Sequence, residues 1–311
     1  MKKVYKERLF RIITGAIAVM VVTAGLTSCG PAAEETEKTI VAVTILPQAG
    51  FVEAIGGDKV EVVVMVPPGA SPHTYEVTPT QMAQLSKAKV YAKVGSPVEF
   101  ELTWMDKLIA VNGAMLVVDC SEGIELIESG EEHHHEGEAE AEEHEHEGVD
   151  PHIWLSPKNA MIMARHICDG LKQVDPANEA FYEENYTAYT EELTELDSEL
   201  AAELSGLANR KFIVVHPSFG YFAREYDLEQ IGIEQSGKEA EADYLVRLIT
   251  EAKEYDIRVV FVSPQFSRQS ADSIAREIGG EVVIIDPLGK DVPENLRNIK
   301  EAVKQALENN G

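Results

Sequence analysis

Residues 175–205 read DPANEAFYEENYTAYTEELTELDSELAAELS and predict one long amphipathic helix. Asp175 is a favourable N-cap, Pro176 is favoured at the first helical position, and Gly206 ends the pattern. Apolar side chains recur at spacings of three and four residues, which places them on one helical face; they are Tyr182, Tyr186, Tyr189, Leu193, Leu196 and Leu200. A helix of about 30 residues is about 45 Å long, more than one small domain needs. We therefore predict a helix over residues 176–206 that joins two domains.

Short apolar, β-branched runs alternate with helix-compatible segments on both sides of this helix. The predicted strands are 40–46, 60–66, 89–94 and 115–118 before it, and 212–215, 228–233, 258–262 and 282–285 after it. The predicted helices are 157–174, 219–225, 240–255, 267–278 and 295–308. Continuous apolar strands predict parallel sheets covered on both faces. The fold class is therefore α/β: an N-terminal lobe over residues 39–175, the linking helix, and a C-terminal lobe over residues 207–311, with a cleft between the lobes.

The N-terminus has the features of an export signal. Five basic residues precede an uncharged, mostly apolar run over residues 12–26, which is shorter than the roughly 20 residues that span a bilayer. Leu-Thr-Ser-Cys, ending at Cys29, resembles the lipobox of prokaryotic lipoproteins. We predict a signal peptide over residues 1–28, a lipid anchor on Cys29 and a polar tether over 29–38, which places the protein outside the cytoplasmic membrane, on its outer face. The alternative is a Cys29 that is buried or a signal that is not cleaved.

Charge and cysteine content exclude several classes of protein. The formal net charge is −27, and residues 29–311 carry 22 basic against 53 acidic residues, a net −31. Such a surface argues against nucleic acid or anionic lipid as a partner and favours cations. Three cysteines, Cys29, Cys120 and Cys168, are too few for a disulfide scaffold or a cysteine zinc finger. Cys120 and Cys168 could pair.

Residues 131–147 hold nine Glu and five His, with only Gly and Ala between them. This composition cannot enter a core, and it indicates a solvated loop with metal affinity. Its candidate auxiliary ligands are His133, His134, His135, His144 and His146. The alternative is a disordered acidic spacer. Directly after the loop, Asp150-Pro151-His152-Ile153-Trp154 places one His among large apolar residues, so we expect His152 to enter the folded body and the loop to lie beside a buried metal site.

Three further candidate ligands follow predicted strands. His73 lies in the proline-rich segment PPGASPHTYE after the second strand, His216 follows residues 212–215, and Asp286 follows residues 282–285. Ligands of open parallel sheets bind at the carboxyl ends of the strands. We therefore expect His73, His152, His216 and Asp286 to face one cleft, with His166 at the surface or capping a helix. Tyr75, Glu76 and Glu239 could also line the cleft.

The segments GASPHTYEVTP, DPHIWLSP after the His-rich insert, HPSFGYFA, PQFS and IDPLG resemble the metal-specific solute-binding proteins of ABC importers, in their zinc branch. The similarity covers residues 39–307. It implies two α/β lobes bridged by one rigid helix, with imidazole ligands from His73, His152 and His216. Asp286, or alternatively water, takes the fourth position. Manganese-carrying relatives usually have Glu where this chain has His216, and three imidazoles with one carboxylate suit tetrahedral Zn²⁺.

The sequence departs from the resemblance at two places. Ser263 stands where many relatives have Glu before PQFS, so a carboxylate that orients a ligand is expected to be missing there. The C-terminal lobe contains none of the three cysteines, so the disulfide that some zinc members carry there is absent.

The resulting expectation is a monomeric extracytoplasmic receptor, not an enzyme, that captures Zn²⁺ and delivers it to an ABC permease. The loop would hold several zinc ions weakly beside the cleft. Affinity should fall as the pH drops through about 6.5, because ligand imidazoles must be neutral. A zinc hydrolase is disfavoured, since there is no HExxH motif and a carboxylate would close the site. A manganese or broad divalent-metal receptor and a surface adhesin with structural zinc remain as alternatives.

Overall fold

The structure is a computed structural model that describes residues 38–128, 148–234 and 240–308. The predicted signal peptide, Cys29, nearly all of the tether, the His/Glu-rich loop and Glu239 lie outside the described residues. Within the described ranges, no helix combines the length and the apolar character needed to cross a membrane.

The N-terminal lobe is a parallel sheet of four strands in the order β2-β1-β3-β4. The strands are β1 (Thr39–Val43), β2 (Val60–Val64), β3 (Val90–Lys93) and β4 (Leu116–Asp119), and the helices are α1 (Leu46–Gly56), α2 (Pro79–Leu85), α3 (Glu99–Val111) and α4 (Pro157–Val174). Each crossover carries the chain back to the amino end of the sheet, so all four strands end at one edge.

The C-terminal lobe repeats this topology, with strand order β6-β5-β7-β8. Its strands are β5 (Lys211–Val214), β6 (Glu229–Gly232), β7 (Val259–Val262) and β8 (Glu281–Ile284), and its helices are α6 (Gly220–Glu225), α7 (Ala242–Glu254), α8 (Gln269–Ile278) and α9 (Val292–Glu308). The predicted fold class, two parallel α/β lobes with a long helix between them, is confirmed.

The long helix α5 (Glu179–Leu204) has 26 residues and is about 39 Å long. Its predicted start is wrong by three residues, because Pro176–Asn178 form a separate 3-10 turn. Asp175 gives no side-chain cap to that turn; its Oδ2 instead accepts hydrogen bonds from Asn178 at 2.7 Å and from the Tyr182 hydroxyl at 2.6 Å. The carboxylate therefore fastens the turn to the apolar face of the helix rather than capping its backbone.

Several other boundaries differ from the predicted ones by a few residues, and two of these differences have local reasons. The first strand ends at Val43 rather than at residue 46, because Leu46 already begins α1 and Pro47 favours the first helical turn. Helix α9 begins at Val292 rather than at residue 295, since Pro293 is tolerated in a first turn, where no intrahelical donor is needed.

One hydrophobic core runs through both lobes. In β5 the side chains alternate, so Phe212 and Val214 join the large core shared with the N-terminal lobe, while Ile213 and Val215 join a smaller cluster beneath α7 and α8. The indole of Trp154, which is 1% exposed, donates a hydrogen bond across the boundary to the carbonyl of Pro287 at 2.7 Å. The two lobes thus share an apolar core and are joined by this hydrogen bond.

The two cysteines within the described residues are both free and buried. Cys168 lies 3.3 Å from the Arg165 guanidinium, whereas Cys120 contacts the Gln48 amide at 3.9 Å. The structure therefore does not pair Cys120 with Cys168.

Candidate metal centre

Three imidazoles meet where the carboxyl edges of the two sheets face each other. His73 comes from the loop between β2 and α2, His152 from the segment before α4, and His216 from the end of β5. One possible ligand atom from each ring lies within 4.8 Å of the others. Ring centroids are 4.7 Å apart for His73 and His216, 5.3 Å for His152 and His216, and 6.1 Å for His73 and His152.

Each imidazole has its own carboxylate partner. The Nδ1 atom of His152 lies 2.7 Å from Asp150 Oδ1, that of His73 lies 2.7 Å from Glu99 Oε2, and that of His216 lies 3.1 Å from Glu234 Oε2. A neutral imidazole that donates through Nδ1 presents the Nε2 lone pair, and a carboxylate partner fixes that tautomer and raises ligand basicity. The arrangement leaves three Nε2 atoms available to one metal ion.

His216 shows most directly that the site is built for an additional group. The residue is 9% exposed, and its Nε2 is buried with no hydrogen-bond partner among the described residues. Burial lowers the pKa of His216, and the nearby His152 and His73 lower it further, although Glu234 opposes the shift. The ring is therefore held neutral, as metal ligation requires.

The walls of the site are aromatic. The Phe266 ring stacks on His216 with centroids 4.5 Å apart and an interplanar angle of 17°, and Trp154 makes an edge contact with His152 at 5.3 Å. Three nitrogen donors suit Zn²⁺, whereas manganese prefers a larger set of oxygen ligands.

Asp286 lies outside the group of three imidazoles. Its Oδ1 accepts hydrogen bonds from the Gln265 amide and from the Leu288 backbone N–H, both at 2.9 Å. Asp286 and Gln265 line a cavity of about 40 Å³ together with Gly69 of the loop that carries His73. Asp286 is thus beside the site, and its role as a ligand stays a prediction.

The remaining sequence candidates have structural contacts. His166 Nε2 lies 2.9 Å from the Glu122 carbonyl, away from the cluster, and Tyr75 donates to the Gln81 amide oxygen at 3.1 Å. Glu76 is exposed. Ser263 is buried and brings no carboxylate, and His216 has Glu234 as its carboxylate partner.

Sequence reasoning missed the three carboxylate partners. Asp150 could have been found from the sequence, because an Asp two residues before a His can accept hydrogen bonds from the backbone N–H and from the ring of that His. In the structure, Asp150 Oδ1 also accepts the backbone N–H of His152 at 2.9 Å. Glu99 and Glu234 lie 26 and 18 residues from their histidines along the chain, and no local pattern separates them from the many surface glutamates.

Comparison with known proteins gives consistent matches along the folded chain. The family model described as "ZnuA: Zinc-uptake complex component A periplasmic" matches residues 41–309. The high-affinity zinc uptake system protein ZnuA of Bacillus subtilis (strain 168) is 33% identical over 279 residues, which cover 89% of this chain and 87% of that protein. The zinc-binding lipoprotein AdcA of Streptococcus pneumoniae (strain ATCC BAA-255 / R6) is 29% identical over 85% of this chain but only 52% of its own length.

Solved structures agree in fold. A crystal structure of a ZnuA deletion mutant with zinc bound superposes with a TM-score of 0.79 at 41% identity, covering 87% of this chain and 98% of that one. The Zn(II)-bound ZnuA-like domain of S. pneumoniae AdcA gives a TM-score of 0.70 at 25% identity, over 87% and 99% of the two chains. The laminin-binding protein of Streptococcus agalactiae, at 22% identity and a TM-score of 0.75 over 87% and 100% of the two chains, shares the fold alone.

Proposed function

The chain belongs to the family of periplasmic zinc-uptake complex components, and on that basis we propose that His73, His152 and His216 bind the Zn²⁺ that it takes up. It is a zinc-binding receptor of a zinc uptake system. One observation carries the assignment of these residues: the three imidazoles converge, and the Nδ1 atom of each lies beside a carboxylate. Within the described residues, the Nε2 atom of His216 at this point has no hydrogen-bond partner.

The spacing of the three nitrogens is compatible with one zinc ion bound by all of them. Nitrogens at about 2.0–2.1 Å from a tetrahedral zinc ion lie about 3.4 Å apart. The ligand atoms are within 4.8 Å of one another, so small rotations of the side chains bring them to that spacing. Asp286, which contacts the Gln265 amide beside the loop of His73, is the proposed fourth ligand, with water as the alternative.

The protein works outside the cytoplasmic membrane, as the family does. We propose that a lipid on Cys29 anchors it there. We also propose that it acts as a monomer, passes zinc to the membrane subunit of an ABC permease and catalyses no reaction itself. The loop of residues 131–147 is proposed to collect further zinc ions weakly through its five histidines, close to His152 in the chain. The net charge of −27 suits a cation receptor and disfavours nucleic acid as a partner.

The assignment is tested by calorimetry with a competing chelator. Protein from residue 30 onward should bind one Zn²⁺ tightly at neutral pH, and Mn²⁺ much more weakly. His73→Ala, His152→Ala and His216→Ala should each abolish tight binding. His166→Ala is the matched control, because this imidazole contacts the Glu122 carbonyl instead.

Two results would contradict the proposal. If Mn²⁺ bound more tightly than Zn²⁺, the chain would be a manganese receptor despite its three imidazoles. If tight zinc binding survived His216→Ala, the metal would be held elsewhere.

A further inference from the structure

We infer that Glu101 of α3 is a positioning residue for the zinc site, which holds His73 and His152 in place through two separate connections. The inference rests on the proposed function, because it assigns Glu101 a role toward those two ligands.

The Glu101 carboxylate has an unusual position and a full set of partners. The residue is 6% exposed, although carboxylates are almost never buried without a specific partner. Its Oε1 accepts the Val94 backbone N–H at 2.6 Å and the Thr44 hydroxyl, and its Oε2 accepts the Gly95 N–H at 3.0 Å. One side chain therefore fastens the ends of β1 and β3 to the first turn of α3.

The first connection runs to His152. Gly95 has φ +88°, and a Cβ at this position would lie 1.9 Å from Asp119 Oδ1, so the loop after β3 has a shape that only glycine accepts. The next residue, Ser96, is 2% exposed and donates a hydrogen bond to the Pro151 carbonyl at 2.6 Å. This carbonyl belongs to the peptide that joins Pro151 to His152. The hydrogen bonds that the Val94 and Gly95 N–H groups donate to Glu101 thus set the position of the backbone that leads into His152.

The second connection runs to His73. Helix α3 begins at Glu99, and its N-cap residue Val98 offers no side-chain hydrogen bond to the helix. Glu101, in the first turn, accepts the two backbone N–H groups of Val94 and Gly95, which ties this turn to the loop after β3. Glu99, two residues before Glu101, then meets His73 Nδ1 at 2.7 Å. The orientation of the His73 ring therefore depends on the turn that Glu101 fixes.

His216 has a different support. Its carboxylate partner, Glu234, follows β6 of the C-terminal lobe, and its ring stacks on Phe266. Replacing the Glu101 carboxylate, whose oxygens accept these hydrogen bonds, should therefore disturb His73 and His152 and leave His216 in place. This selectivity distinguishes positioning from a general effect on stability.

The test is Glu101→Gln, which keeps the volume but replaces one acceptor oxygen with an NH₂ group that cannot accept an N–H. We expect zinc affinity to fall about tenfold, the lower end of the range for residues that support metal ligands. In ¹H–¹⁵N spectra of the zinc-free protein, the Nδ1–H signals of His73 and His152 should shift or broaden, and that of His216 should stay unchanged. This spectroscopic readout does not depend on zinc binding.

Two comparisons separate positioning from stability. Lys300→Gln is the matched control, since Lys300 is also 6% exposed and pairs with Glu199 and Glu203 of α5. It should lower Tm without changing zinc affinity. Ser96→Ala should weaken zinc binding severalfold. Its effect should be non-additive with that of Glu101→Gln, because both variants break the same connection to His152. Glu101→Gln combined with Glu234→Gln should be additive.

Three outcomes would overturn the inference. Glu101→Gln could lower Tm while leaving zinc affinity within twofold of the parent protein, or it could affect all three imidazole signals equally. If Glu101→Gln fails to fold, Ser96→Ala decides alone, and unchanged affinity in that variant refutes the connection to His152. A parent protein without a tight zinc site would instead refute the proposed function, while the spectra of the zinc-free protein would still test the role of Glu101.

Discussion

The two lobes have the same strand order but prepare their parts of the proposed metal site in different ways. The N-terminal lobe supplies His73 and His152 together with their carboxylate partners Glu99 and Asp150, and Ser96 of the same lobe donates to the carbonyl of Pro151, next to His152. The C-terminal lobe supplies one imidazole, His216, which stacks on Phe266. All three imidazoles have a carboxylate partner, but among the described residues only the Nε2 of His216 is buried without a hydrogen-bond partner. The comparison predicts that the halves respond differently to mutation and to pH.

The largest expected effect comes from removing the single imidazole that the C-terminal lobe contributes. His216→Ala leaves only two imidazoles from one lobe, so we expect zinc affinity to fall by more than about 100-fold, beyond the range for residues that only support ligands. Competition calorimetry measures this loss, with His166→Ala as the control. If His216→Ala lost less affinity than His73→Ala and His152→Ala, the C-terminal lobe would be a minor contributor and the comparison would fail.

The carboxylate partners should give the next largest effects. Asp150→Asn, Glu99→Gln and Glu234→Gln each weaken the acceptor at one Nδ1, and such changes typically cost between about 10-fold and about 100-fold in metal affinity. Asp150→Asn should cost more than Glu99→Gln, because the Asp150 side chain is 8% exposed and that of Glu99 is 49% exposed. Chelator competition ranks the three variants. Small and equal losses of zinc affinity in the three variants would show that the carboxylates do not support the imidazole ligands.

A smaller effect concerns the stability of the zinc-free protein at low pH. The pKa of His216 is lowered by burial, so the folded state binds its proton less readily than the unfolded state does. The resulting contribution to stability is present above the unfolded pKa of about 6.5 and is lost as the pH falls through the folded value. The Tm of the zinc-free protein should therefore fall more steeply below pH 6.5 in the parent protein than in His216→Ala. Equal slopes would contradict the role of burial at this residue.

The smallest effect on the tight site is expected from the His/Glu-rich loop. Deleting residues 131–147 should change the affinity of the single tight site by less than about twofold, since its three imidazoles have carboxylate partners outside the loop. The same deletion should remove several weaker zinc ions from the titration. Loss of the tight site on deletion would mean that the loop itself is the receptor site. Unchanged weak binding would support the acidic-spacer alternative.

The pattern of residues along the chain determined the fold class. Alternating apolar runs and amphipathic segments predicted the long helix and the eight strands found in the described residues, because side-chain periodicity reflects local backbone geometry. The same pattern misplaced the start of α5, where Asp175 bonds to Tyr182 and Asn178 instead of capping the backbone. Competing side-chain partners of this kind become visible only once the helix is folded.

The sequence also identified the three histidines that meet in the site, since His73, His152 and His216 stand at loop positions after strands or beside large apolar residues. It could not identify Glu99 and Glu234, because each meets its histidine only when distant segments fold together. Nor could it predict that Trp154 would bind the Pro287 carbonyl across the lobes. Periodicity and strand ends are local properties that a sequence records. The pairing of one carboxylate among 54 acidic residues with one imidazole is set by tertiary packing, which alone fixes distances between segments remote in the chain.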